Sequence, residues 1–310
     1  MPSIAAIEPL IVATAVWRRA WTSQELARGP YGYLPVLSAP IIFACLFAVS
    51  GIWHLVQNFR YRQWWLVILT LACLFEAVGH ALRVYGHFEP FGVNAYISMQ
   101  CILVITPALF AAVDFAILGK VAVLFPPEYS LVNPRWILPF FVALDVASLG
   151  VQGGGSAIAA IAQMDNRDPT SGGNIVVAGL AIQLVGYILF NTILVVFVRR
   201  CSSNPPSEVL WNKRTRTFLA ATAVSSALIF ARSVFRLIEM SVGWVGVIAK
   251  TEWTFYVFDA ALVTMAVFIF NVLNPAVSLG QLCETNRGNK YSVALDERNA
   301  SHDSEASFKV

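Results

Sequence analysis

The chain has 310 residues, of which 57% are hydrophobic and 13% charged, against about 25% charged in a soluble domain. Its mean hydropathy is +0.66 and its net charge only +3, which excludes an ordinary soluble fold and gives no basic surface for a nucleic-acid partner. The expectation is an all-α polytopic membrane protein forming one helical bundle, with no cofactor.

In chain order, residues 1–33 read as an extracytoplasmic leader with interfacial Trp17 and Trp21. Glu8-Pro9 breaks its short apolar stretch and no basic n-region precedes it, which argues against a cleaved signal peptide. Spans are expected at 34–56, 64–85, 93–123, 136–161, 174–198, 217–242 and 253–273. Each is long enough for roughly 30 Å of hydrocarbon, so 34–274 is a seven-helix transmembrane domain. Trp64-Trp65 anchors the second span, Pro107 kinks the third, Gly153-Gly154-Gly155 marks close packing or a break in the fourth, and Asn274-Pro275 stops the seventh. Residues 275–310 read as a polar cytoplasmic tail, without structure from 281 onward.

Orientation follows loop charge. The loops after spans one, three and five carry Arg60 and Arg62, Arg135, and the cluster Arg199, Arg200, Lys213, Arg214 and Arg216. The loops after spans two, four and six carry none, Arg167 and Lys250. The N-terminus is therefore expected outside and the tail inside, although Arg18, Arg19 and Arg28 oppose this. A sequon at Asn299 would then be unused in the cytosol. Cys45, Cys73 and Cys101 read as small core hydrophobes, and Cys201 beside Arg199-Arg200 as a candidate for acylation.

The sixth span carries Arg232, Arg236 and Glu239 at i, i+4, i+7, on one helical face. One charge at the bilayer centre costs about 2.5–3.5 kcal/mol on insertion scales, so this face must meet partners or water. Other spans repeat the pattern: Glu76, His80 and Arg83; Gln100, Pro107 and Asp114; Asp145, Ser148 and Gln152; Gln183, Tyr187 and Asn191; Glu252, Tyr256 and Asp259. Polar faces on six helices suggest a lined cavity, open outward, with acids at its floor and mixed charge at its mouth. The bland alternative is that these residues neutralise one another as glue between helices. Residue counting puts Arg236 level with Asp259, sends Arg232 to Asp145 or Glu76, and leaves Glu239 and Glu252 at the mouth. No nucleotide-binding loop and no three-histidine zinc set is present. His54 and His80 are read as core histidines in preference to a haem pair.

The segments Tyr31-Gly-Tyr-Leu-Pro35, His54, Glu76-Ala-Val-Gly-His-Ala-Leu-Arg83, 145–155, Gly179-Leu-Ala-Ile-Gln183, 232–239 and the set Glu252, Tyr256, Asp259 before Asn274-Pro275 occur in an order that resembles the fungal lipid-translocating exporter, or aminocholesterol-resistance, family. The resemblance runs from Tyr31 to Gly280. It implies a seven-span protein, expected in the plasma membrane, linked to sphingoid-base and lipid translocation and to drug or sterol resistance, with porphyrin handling in some members. His80, where the family usually has tyrosine, and the acid at Asp114 depart from its pattern. The expected substrate-binding set is Glu76, His80, Arg83, Gln100, Asp145, Gln152, Gln183, Arg232, Arg236, Glu239, Glu252, Tyr256 and Asp259. Its excess of acids over arginines suits a protonated amine. The first expectation is therefore a non-enzymatic, passive or ion-coupled translocator of amphipathic lipids. The alternative is a seven-helix receptor or sensor for a lipid-like or porphyrin ligand, with a cytoplasmic partner at loop 199–216. A membrane enzyme lacks a recognisable nucleophile or metal set.

Overall fold

A computed structural model describes residues 21–26, 29–165, 167–206, 210–243, 251–284 and 286–287. Trp17, Arg18, Arg19, Arg28, Lys250 and the tail 288–310 with its Asn299 sequon lie outside the described residues. Seven helices are long and apolar enough to cross a membrane. They are α1 Ser38–Tyr61, α2 Val67–Phe88, α3 Val93–Leu124, α4 Pro134–Met164, α5 Thr170–Ser203, α6 Lys213–Val242 and α7 Glu252–Val272.

The sequence places all seven, and the structure lengthens several of them. Asn212 caps α6 by accepting a hydrogen bond from the Thr215 amide at 2.9 Å, so α6 begins inside the segment read as a basic loop. Arg62, with φ of 52°, turns the chain out of α1. A single 3-10 turn, Trp64–Leu66, then leads into α2. Asn274-Pro275 breaks α7 but does not end helical structure. A further helix, α8, covers 275–284 and buries Ala276, Leu279 and Leu282 against the main core. The expectation that 281 onward lacks structure therefore fails over 281–284. Cys201 is fully buried in the same core, which withdraws it as an acylation site.

Successive helices pack as neighbours, and α7 closes against α6 and α1. The tightest seam joins α4 and α5. A Cβ on Gly172 would lie 2.4 Å from the Ala159 amide nitrogen, and one on Gly155 would lie 2.8 Å from the Gly172 carbonyl oxygen. Only glycine permits that approach. Gly153 and Gly154 meet nothing within 4 Å; within the glycine triplet, close packing rests on Gly155 alone, and α4 continues unbroken through it. The main core is filled by side chains such as Phe115, Phe190, Phe197 and Phe218. It occupies the half of the bundle away from the α6–α7 connection, which is taken below as the top.

Candidate functional site

Near the top, α2, α6 and α7 converge through charged side chains. Asp259 contacts the Arg232 guanidinium through one carboxylate oxygen and lies 3.1 Å from Arg236 through the other. Arg236 also donates to Glu239 at 2.9 Å. All four residues are buried. A shared carboxylate suits two planar guanidinium groups one helical turn apart, each presenting a fork of donors. Arg232 additionally donates to the Leu103 carbonyl at 2.8 Å. The cause is Pro107 in α3. Proline has no N–H, so the carbonyl four residues earlier has no helical partner, and Arg232 supplies the missing donor.

The second knot of charge is Arg83. It donates to Glu252 at 3.3 Å, to the Tyr256 hydroxyl at 3.0 Å and to the Tyr33 hydroxyl at 2.6 Å. Its guanidinium lies 4.3 Å from the Phe255 ring centroid. Glu252 accepts from the Val36 amide through both oxygens, at 3.0 and 3.1 Å, and from Tyr256 at 3.1 Å. It also sits in the first turn of α7, where helix polarity favours an acid. The segment ahead of α1 is thereby pinned over the top of the bundle. Tyr31 packs where Gly86 leaves room: a Cβ there would lie 2.4 Å from the Tyr31 hydroxyl. Burial pushes the Tyr31 phenol up to about 12 and raises Tyr33 as well, with Arg83 pulling both back. Both are neutral phenols at physiological pH.

Between the knots sit Glu76 and His80. His80 stacks between Phe43 and Phe47, with centroids 5.4 and 5.7 Å away. Its Nε2 is 3.7 Å from Glu76 Oε2, and neither ring nitrogen has a hydrogen-bond partner. Glu76 is within electrostatic reach of Arg232, Arg236 and Asp259.

The remaining predicted site residues fall elsewhere. Gln152 donates to Gln183 at 3.2 Å across the α4–α5 seam, and Asp145 lies lower on the same face of α4. Gln100 donates to the Tyr96 hydroxyl at 3.1 Å, and Tyr96 in turn packs edge-on to Tyr31.

Three expectations need correction. Arg232 pairs with Asp259, not with Asp145 or Glu76, because Asp259 offers one oxygen to each arginine. Glu239 and Glu252 do not form an open mouth: each is engaged by an arginine, and Glu239 is buried. The polar faces at the top close on one another instead of lining an outward opening. A cleft of about 590 Å³ lies at the opposite end, lined by Trp53, Gln57, Lys213, Arg214, Asn271 and Ser278 among others.

A π-turn over Tyr256–Ala260 interrupts α7. Such turns recur at functional positions. Here the extra residue splits the stripe that the i, i+4, i+7 spacing draws as one. Glu252 and Tyr256 face Arg83 on α2, while Asp259 faces the arginines of α6. Sequence reasoning did not include Tyr33, Phe43, Phe47, Phe255 or the Leu103 carbonyl in the site. Tyr33 had a signal in the Tyr31-Gly-Tyr33 motif, and Leu103 had one in Pro107. The phenylalanines look like any other core residue. Among the described residues, no group of three or more metal-ligating side chains comes together.

A family model described as "RTA1 like protein" matches residues 69–281. The "Lipid-translocating exporter-like protein RTA1" of Leptosphaeria maculans is 32% identical over 272 residues, 80% of this chain and 51% of the relative. The chain thus spans about half the length of that protein. "Protein RTA1" of Saccharomyces cerevisiae is 30% identical over 292 residues, 86% of this chain and 91% of the relative. The "Sphingoid long-chain base transporter RSB1" of the same species is 24% identical over 277 residues, 79% of this chain and 72% of the relative. No solved structure matches the chain.

Proposed function

The chain belongs to the RTA1-like family, and from that membership and the charged interior we propose that it translocates an amphipathic lipid with a basic headgroup, of the sphingoid long-chain base class, across the membrane. The carrying observation is a polar interior to which five of seven spans contribute buried charged residues, in a chain whose relatives are named as a lipid-translocating exporter-like protein and a sphingoid long-chain base transporter. A purely structural bundle needs no such density of buried charge, since each charge is costly to hold in hydrocarbon. The thirteen residues expected as substrate-binding divide on this reading. The arginine network, with Glu76 and His80, closes the path at the top, and Asp145, Gln152 and Gln183 line it beneath. Gln100 braces the tyrosines at the rim.

The top is the extracytoplasmic end, because Arg60, Arg62, Arg135, Arg199, Arg200 and Arg214 all belong to the other. The protein acts in the plasma membrane as a transporter, not as an enzyme. The test is reconstitution. Vesicles containing the purified chain, loaded in one leaflet with a fluorescent long-chain base, should exchange it between leaflets faster than protein-free vesicles. Equal rates in the two preparations would remove the proposal.

A further inference from the structure

Beneath the arginine network is a second polar layer with the opposite charge logic. Asp114 on α3 is fully buried; one of its oxygens lies 3.4 Å from the Ser225 hydroxyl on α6, and the other has no hydrogen-bond partner. Asp145 on α4 is buried, with Oδ2 likewise unpartnered. Among the described residues, neither has an ion-pair partner. The hydroxyl of Tyr187 on α5, 1% exposed, also has no hydrogen-bond partner and interacts electrostatically with both carboxylates. Four helices thus contribute two acids and two hydroxyls to this layer, with Tyr187 one helical turn above the level of Ser225, since Asn191 bonds Ser226. Ser225 is seven residues below Arg232 on α6, which puts this layer about 10 Å under the network.

Charge bookkeeping separates the layers. At the top, Arg83 is met by Glu252, and Arg232 and Arg236 are met by Asp259 and Glu239. Those acids are occupied by guanidinium groups and have little left for an incoming cation. A buried carboxylate without a counter-charge is among the most costly groups a protein can hold. Neutralising two of them takes a proton on each or a cation that the chain itself does not supply, and with an idle phenol beside them they make a set of acceptors for such a cation.

We propose that Asp114 and Asp145, with the hydroxyls of Tyr187 and Ser225, form the seat for the ammonium group of a long-chain amine during its passage. This rests on the reading of the cargo as a basic lipid, and it assigns the headgroup to the lower layer instead of the arginine network. The ammonium offers three N–H donors, which two carboxylates and a phenol oxygen can satisfy. Gln152 and Gln183 lie above this seat, on the same faces of α4 and α5, and form a polar seam leading to it.

The experiment is equilibrium binding to the purified full chain in detergent, with octadecylamine and octadecanol as probes. The wild type should bind the amine more tightly than the alcohol. Asp145→Asn and Asp114→Asn should each weaken amine binding by about ten- to a hundredfold, the size expected for losing a charge-assisted contact. A thermal midpoint and elution profile matching the wild type show that each variant is folded. Asp145→Glu, which keeps the charge, should recover most of the affinity. Equal affinity of the wild type for amine and alcohol overturns the seat, as does amine binding by both asparagine variants at wild-type strength. The vesicle assay separates the two proposals. Base movement that survives both asparagine substitutions sinks the seat and leaves transport standing. Amine binding that depends on the aspartates, without movement, sinks transport and leaves the seat.

Discussion

The upper and lower polar layers lie about 10 Å apart in one bundle, and both hold buried acids with tyrosine hydroxyls, but only the upper layer holds arginines. In the upper layer every arginine has an acid, and every acid except Glu76 is within hydrogen-bonding distance of an arginine. In the lower layer the acids have none. Buried charge can therefore hold a membrane protein together or wait for something else to neutralise it, and composition alone does not distinguish the two. The difference lies in whether removing a carboxylate strands a cation or relieves an unpaired charge.

The sharpest contrast is expected at Asp259. Asp259→Ala strands the buried Arg232 guanidinium and leaves Arg236 with Glu239 alone, and breaking a buried pair from one side costs about 3–5 kcal/mol. The yield of monodisperse protein and its thermal midpoint should both collapse. Exchanging partners by Arg236→Asp with Asp259→Arg should rescue little, because Arg232 then faces a like charge. Full recovery by that exchange would show that the Arg232 contact is dispensable.

A smaller effect is expected at Glu252. Glu252→Gln weakens charge-assisted bonds to Arg83 and the Val36 amide, each worth about 1.5–3 kcal/mol. Amide hydrogen exchange over residues 31–36 should accelerate while the helical core keeps its protection. Unchanged protection over 31–36 would mean that the segment is held by Tyr31, Tyr33 and the contact of His87 with the Pro35 carbonyl.

The smallest effect on stability is expected at Asp145. Asp145→Asn removes a carboxylate with no ion-pair partner, so the unfolding free energy should stay within about 1 kcal/mol of wild type or rise. A loss as large as that of Asp259→Ala would erase the distinction between the layers.

Span number, the charged face of α6 and the Arg236–Asp259 pair were legible from spacing, because helical periodicity and residue counting are local properties. The partner of Arg232 was not, since choosing among Asp145, Glu76 and Asp259 needs the relative rotation of the helices. The π-turn at Tyr256–Ala260 has no motif in the sequence, yet it decides which way Asp259 points. The donor to Leu103 was half legible: Pro107 announces an orphaned carbonyl but not what meets it. The helix 275–284 was missed because its stripe of Ala276, Leu279 and Leu282 is short and follows a proline.

The pairing of Arg83 with Glu252 joins residues 169 positions apart, and this has a consequence for how the protein is made. Ribosomes add about 5–20 residues per second, so Arg83 enters the bilayer on the order of ten seconds or more before its acid is synthesised. Arg232 and Arg236 likewise precede Asp259. For that interval Arg83 lacks Glu252 and Arg232 lacks Asp259, and although Glu76 on α2 and Glu239 on α6 are already present, the unmatched guanidinium groups must be sheltered by the insertion machinery or by anionic lipid until α7 arrives. A chain truncated before residue 252 would carry that exposed charge permanently, which marks it for the cell's quality control.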